Sequence, residues 1–224
     1  HGAADDDAHE RRVNGSRRQR REPGALAQEL AERDESNELW QSECAEAHVQ
    51  LGRLLDATHK TEEALVLYRR AHEVIERLSE RRPDTAQWAH QRWESHVRLG
   101  DLHRKLGDLP NAYDQYVEAI LYVERLAELD PENLRWKDDL MNALNLAGMV
   151  AKKQDRAQEA MRIFRSAQEI AARYASDAGA GLLWKEDLMS SHANLASLHM
   201  DIGDFAAARS EYEQALAIAM AMAE

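Results

Sequence analysis

Tryptophan recurs in this chain at a fixed step: Trp40, Trp88, Trp136 and Trp184 stand 48 residues apart. Four more registers keep the same step. One holds Gly52, Gly100 and Gly148, with Ala196 in the fourth place. Another holds Ala64, Ala112, Ala160 and Ala208. A third holds Tyr68, Tyr116, Phe164 and Tyr212, and a fourth Ala71, Ala119, Ala167 and Ala215. A common period of tens of residues is the signature of a stacked repeat protein, in which each unit buries its apolar face against its neighbours.

Each period divides into two amphipathic helices. In the second, Thr85 to about Leu106 reads as helix A and Leu109 to Leu129 as helix B. Gly107-Asp108 separates them, a glycine stop followed by a helix start. The third period turns at Gln154-Asp155 and the fourth at Gly203-Asp204, while the first uses Asp56-Ala-Thr-His-Lys60 without glycine. Apolar residues recur at helical spacing, as Ala112, Tyr116, Ala119, Ile120 and Val123 do, and no segment alternates with period two. The expectation is an all-α chain of helix-turn-helix repeats over 40–87, 88–135, 136–183 and 184–224. Residues 23–39 are expected to form a capping half-repeat or the remnant of a longer array, because Leu30 falls in register with Leu78 and Leu126.

Residues 1–22 stand outside the period as a charged tail or linker rich in arginine (Arg11, Arg12, Arg17, Arg18, Arg20, Arg21). Few apolar residues there could support a core. The remainder carries 23 basic against 36 acidic residues, so nucleic acid is not the expected ligand. No apolar run is long enough to span a bilayer. One cysteine, Cys44, and no signal-peptide core make a cytoplasmic setting the default expectation. A first residue other than Met suggests a processed chain or a piece of a longer one.

The registers resemble the tetratricopeptide repeat family. Its pattern of Leu-Gly, a small residue, an aromatic and an alanine is met by Leu99-Gly100, Ala112, Tyr116 and Ala119, and by Leu51-Gly52, Ala64, Tyr68 and Ala71. The third repeat reads Ala147-Gly148, Ala160, Phe164, Ala167, and the fourth Leu195-Ala196, Ala208, Tyr212, Ala215. The family's usual repeat is about 34 residues, so the helices here are extended. Trp136-Lys-Asp-Asp-Leu and Trp184-Lys-Glu-Asp-Leu lie in the extension. Such long repeats resemble arrays of large bacterial signalling and defence proteins. The resemblance implies a right-handed α-solenoid and a non-enzymatic protein-protein interaction scaffold, with no cofactor.

It also implies a binding surface, since helix A lines the concave face in this family. The candidates are Glu46, Val49, Arg53 and Asp56 in the first repeat and Glu94, Val97, Asp101 and Arg104 in the second. Asn142, Asn145, Met149 and Lys152 follow in the third, and Ser190, Ala193, Ser197 and Met200 in the fourth. Charge gives way to polar and Met-lined surface along this series, which suits a peptide or helix with a basic or mixed end and an apolar end. The Lys and Asn positions by which co-chaperone members grip a terminal carboxylate read Val49, Arg53, Val97 and Asp101, so that clamp is not expected.

No phosphate loop or nucleophile elbow is present, and catalysis is not expected. His96 and His103, and again His192 and His199, occupy equivalent helix A positions, with His48 a further copy. They read as packing residues rather than metal ligands, and buried histidines would make the array sensitive to acid. Cys44 reads as a buried thiol. The last helix ends in apolar residues, including Ile218, Met220 and Met222, where a terminal repeat should be polar. A fused domain, another helix or a second copy is expected to cover it.

Overall fold

A computed structural model describes residues 36–82, 85–175 and 181–223, together with the isolated positions 29, 33 and 34. The expected tail at 1–22 and most of the expected half-repeat lie outside the described residues. All regular structure among the described residues is helical. We number the helices α1 (Glu38–Ala57), α2 (Thr61–Arg81), α3 (Ala86–Lys105), α4 (Leu109–Leu129), α5 (Leu134–Lys153), α6 (Ala157–Ala175), α7 (Gly181–Asp201) and α8 (Phe205–Ala223). Odd-numbered helices are the expected A helices and even-numbered ones the B helices. The fold is the all-α, solenoid-type stack of helix hairpins.

Two compact units divide the chain at Leu78 and Ser79, within the last turns of α2. In the first, Asn37 caps α1 by accepting a hydrogen bond from the Trp40 amide at 3.2 Å. The α1–α2 contact is close because Gly52 has no side chain: a Cβ there would stand 2.9 Å from Tyr68 Cε2. Ala64 and Ala71 are fully buried beside it, and Cys44 is buried as expected.

In the second unit each helix packs on the next from α3 to α8, with a smaller contact between α5 and α7. Gly100 and Gly148 repeat the close approach, since a Cβ would meet Tyr116 at 2.6 Å and Phe164 at 2.5 Å. Both rings are buried, with Ala112, Ala119, Ala160 and Ala167 around them. Burying one such ring contributes about 2 kcal/mol. The helix extensions have their own core. Trp136 and Trp93 flank His90, with ring centroids 5.6 and 5.2 Å from it, and Trp184 meets Tyr174 at 5.0 Å.

All four A-to-B turns have one backbone solution. The residue at each turn takes positive φ at His59 (62°), Gly107 (78°), Asp155 (59°) and Gly203 (80°), each 48 after the last. The following amide then reaches back to the helix: Lys60 to Leu55 O, Asp108 to His103 O, Arg156 to Ala151 O and Asp204 to His199 O, at 2.9–3.0 Å. These are Schellman closures. The sequence shows the stop in the two glycine repeats; in the others His and Asp occupy the same left-handed position.

Candidate functional site

The helix A residues expected to bind fall on one stripe of α5 and α7, opposite the core. Asn142 and Met149 on α5, and Ser190 and Met200 on α7, are exposed. Between them runs a polar ladder from one A helix to the next. The Asn194 amide donates to Asn145 Oδ1 at 3.2 Å. Lys152 Nζ donates to Ser197 Oγ at 2.6 Å and lies 2.8 Å from Asp201 Oδ2. Side chains that the sequence separates by 45 to 49 residues are thereby joined. A ligand on this stripe would meet two exposed methionines beside amides and a lysine already oriented by partners.

The α3 portion is arranged differently. Asp101 Oδ1 accepts from Tyr116 Oη at 2.8 Å and from Arg104 Nη2 at 3.0 Å. The same network raises the Arg104 pKa, through its hydrogen bonds to Tyr116 and Asp101. Burial, first, raises that of the Tyr116 hydroxyl. Glu94 is occupied by Arg98 one turn on, with Nε at 3.0 Å. Asp101 and Arg104 therefore tie α3 to Tyr116 of α4, while the Glu94–Arg98 pair lies within α3. Val97 departs from expectation: it is buried in the core with Trp93, Tyr116 and Ala147. Arg53 and Asp56 lie on α1 in the first unit, Arg53 exposed and Asp56 partly buried.

The histidines sit in polar pairs that tie helix A to the turn or to helix B. His96 Nδ1 lies 3.0 Å from Gln115 Oε1, and its ring stacks on Tyr122 with centroids 5.4 Å apart. His103 Nδ1 lies 3.0 Å from Asp108 Oδ2. In the fourth repeat His192 faces Glu211 at 2.7 Å and His199 faces Asp204 at 3.7 Å. Each Asp also caps the next helix, accepting from the Asn111 amide at 3.3 Å or the Ala207 amide at 3.1 Å. Asn111, first, and then His103 hold the Asp108 carboxyl below its usual range. These contacts tie each A helix to the adjoining turn or to helix B.

A groove that sequence reasoning missed opens between α4, α5 and α6. It has a volume of 640 Å³ and carries Glu124, Glu128, Glu132 and Glu169 around an apolar floor that includes Leu140 and Ile170. Burial, and then the neighbouring Glu128, raise the Glu124 carboxyl pKa. Lys137 crosses one end, its Nζ 4.6 Å from the Tyr174 ring centroid. These residues lie on three helices and, for Glu132, on the α4–α5 loop, so no local pattern announces them. On the A helices, burial raises both Asp138 and Asp187, and Asp138 acts next on Asp187.

Comparison with known proteins agrees with this geometry. The sequence pattern of the family described as Tetratricopeptide repeat matches residues 190–219, most of the α7–α8 hairpin. No curated protein matches the chain in sequence. Among solved structures, BtubC (BKLC) from P. vanneervenii shares the fold at a TM-score of 0.62 and 19% identity, over 81% of this chain. The chain spans 65% of that protein's length. A kinesin-light-chain-like protein of Podosopora anserina with nearly identical TPR-like repeats gives 0.62 at 16% identity, covering 92% of this chain and 90% of that one. A point variant of the same Podosopora protein gives the same values. At these identities the likeness is one of fold. No described helix is long and apolar enough to cross a membrane. The sequence match to the tetratricopeptide repeat pattern is confined to the fourth repeat, and the glycine–aromatic packing of the other three is similar to it.

Proposed function

We propose that this chain is a non-enzymatic scaffold that binds a protein segment, a peptide or a helix, along its helix A face. Repeats of this family mediate protein-protein interaction. The observation that carries the proposal is the α5–α7 stripe. Exposed Met149 and Met200 flank a ladder of Asn145, Asn194, Lys152 and Ser197 whose rotamers are held by one another. Pre-ordered polar groups beside adaptable methionines lower the ordering cost of binding an amphipathic segment. The residues proposed to contact it are Asn142, Asn145, Met149, Lys152 and Ser197, joined by Glu94, Asp101 and Arg104 on α3; within the first unit, Arg53 and Asp56 on α1 are the corresponding candidates. Its setting would be the sensor or adaptor part of a larger bacterial signalling or defence protein in the cytoplasm.

Immobilised chain should capture a defined protein from a lysate of the source cells. Capture should fall at least tenfold for the Met149→Asp, Met200→Asp double variant and persist for a control altered on the outer face of α6, such as Arg165→Ala. Both methionines are exposed, so the folded state should survive the change. Retention by the double variant at wild-type level would overturn the helix A reading.

A second reading is favoured by α8. Phe205, Tyr212, Leu216 and Met220 are all exposed on this one helix. In that case the array is architectural, and its last helix docks another copy or a fused domain.

A further inference from the structure

The groove between α4, α5 and α6 has a counterpart one repeat earlier. A smaller cavity, of 230 Å³, lies where the last turn of α2 meets α3 and α4, and Ser79, Glu80, Arg92, Tyr122 and Arg125 line it. One period on, these positions are Ala127, Glu128, Leu140, Ile170 and Arg173, all of which line the 640 Å³ groove. Two successive repeats of the second unit therefore form the same cavity.

The two differ in what fills them. In the earlier one the chain supplies its own cation: the Arg92 guanidinium lies 4.0 Å over the Tyr122 ring, and its Nη1 donates to Ser79 Oγ at 3.3 Å. In the later one Leu140 stands in the place of Arg92, Ile170 in that of Tyr122 and Ala127 in that of Ser79. The guanidinium is gone, together with the ring and hydroxyl that held it, and the space is larger. Its floor is aliphatic, and Glu124, Glu128, Glu132 and Glu169 surround it. Glu169 takes the position of Leu121, so a negative charge is added where a positive one was removed. Among the described residues none of these four carboxylates forms an ion pair. Of the two cations that line the groove, Lys137 is held at one end by the Tyr174 ring and the Pro131 carbonyl, and Arg173 is the counterpart of Arg125. A further cation would offset the burial and the Glu128 repulsion that raise the Glu124 pKa.

We infer that this groove receives an arginine side chain of a protein partner, its guanidinium meeting the carboxylates of α4 and α6 and its methylene stem lying on Leu140 and Ile170. The occupant restores from outside the group that Arg92 supplies from within the chain one repeat earlier. Arginine suits the site better than lysine, because its planar fork donates to two carboxylates at once. Its stem also covers apolar surface while the charge stays at the rim. No lining residue of the groove belongs to the helix A stripe, so the inference stands apart from that reading.

Selection of random dodecapeptides displayed on phage against the immobilised full chain tests it, followed by anisotropy titration of the enriched peptides made synthetically. Peptides that carry an arginine should be enriched. Glu124→Gln with Glu169→Gln should weaken their binding about tenfold or more, since hydrogen bonds between charged groups are lost. Both glutamates are exposed, so this variant should keep the wild-type helical content. Leu140→Arg with Ile170→Tyr, which copies the filled cavity of the preceding repeat, should lose the peptides as well. Met149→Asp with Met200→Asp should bind them as the wild type does. Lysine in place of the peptide's arginine should weaken binding about threefold or more. Enriched peptides without arginine, or arginine peptides that bind the Glu124→Gln, Glu169→Gln chain at wild-type strength, overturn the inference. Peptides lost with the methionine variant but kept with the glutamate one also overturn it, and leave the helix A reading standing. Equal binding of the lysine peptides overturns the assignment to arginine.

Discussion

At single residues, the turns and the histidines respond to different variables. His59 and Asp155 hold the left-handed conformation that Gly107 and Gly203 adopt without steric penalty. An L-residue there costs about 1–2 kcal/mol, which Asp and His reduce but do not remove. Asp155→Gly is therefore expected to stabilise the second unit by about 0.5–1 kcal/mol, read as a higher urea midpoint with the slope unchanged. His48 responds to pH. Burial, first, and the Arg70 guanidinium hold its imidazole below the ordinary value of 6.5. The unfolded chain thus takes up the proton first as pH falls through about 6.5, so stability is complete above that pH and declines below it. His48→Leu, which installs the residue found at Leu144, should flatten the fall in melting temperature between neutral and mildly acidic solution. An unchanged slope would show that other groups set the acid sensitivity.

Within a helix pair, the controlling feature is the distance between backbones. Gly148 lets α5 approach α6 until the Phe164 ring fills the space a Cβ would take, at 2.5 Å. Alanine would gain about 1 kcal/mol in helix propensity. Overpacking a buried ring costs about 1–3 kcal/mol, so the clash should win. Gly148→Ala is expected to lower stability by about 1–2 kcal/mol in denaturant titration, and Gly148→Ala with Phe164→Leu to recover part of it. A stabilised single variant would mean that the ring can move away freely. The fourth repeat already carries Ala196, and there Tyr212 is half exposed rather than buried.

For the molecule as a whole, the periodic frame has two consequences that pull in different directions. It supplies interior faces that match, which is why α3 to α8 stack in order. It also leaves Tyr212, Leu216 and Met220 of α8 exposed. The formal charge of −12 opposes contact between copies, so any association through this face works against self-repulsion.

The 48-residue recurrence of Trp, Gly and aromatic residues was sufficient by itself to determine eight described helices, their turns and the pairing of each Gly with its aromatic. Periodicity fixes which face of a helix is apolar, and fixed spacing fixes which residues meet within a hairpin. Histidine positions follow the same frame, His48, His96 and His192 in one register and His103 and His199 in another. What a side chain meets across repeats was not. Val97 looks like a surface position by register but fills the core beside Trp93, and Arg104 is tied to Tyr116 and Asp101. The Lys152–Ser197 and Asn145–Asn194 contacts and the groove around Glu124 and Glu169 depend on how far each hairpin is rotated on the last. That rotation arises from the summed packing of many side chains, to which no single residue type or spacing is a guide, so only the tertiary structure could decide it.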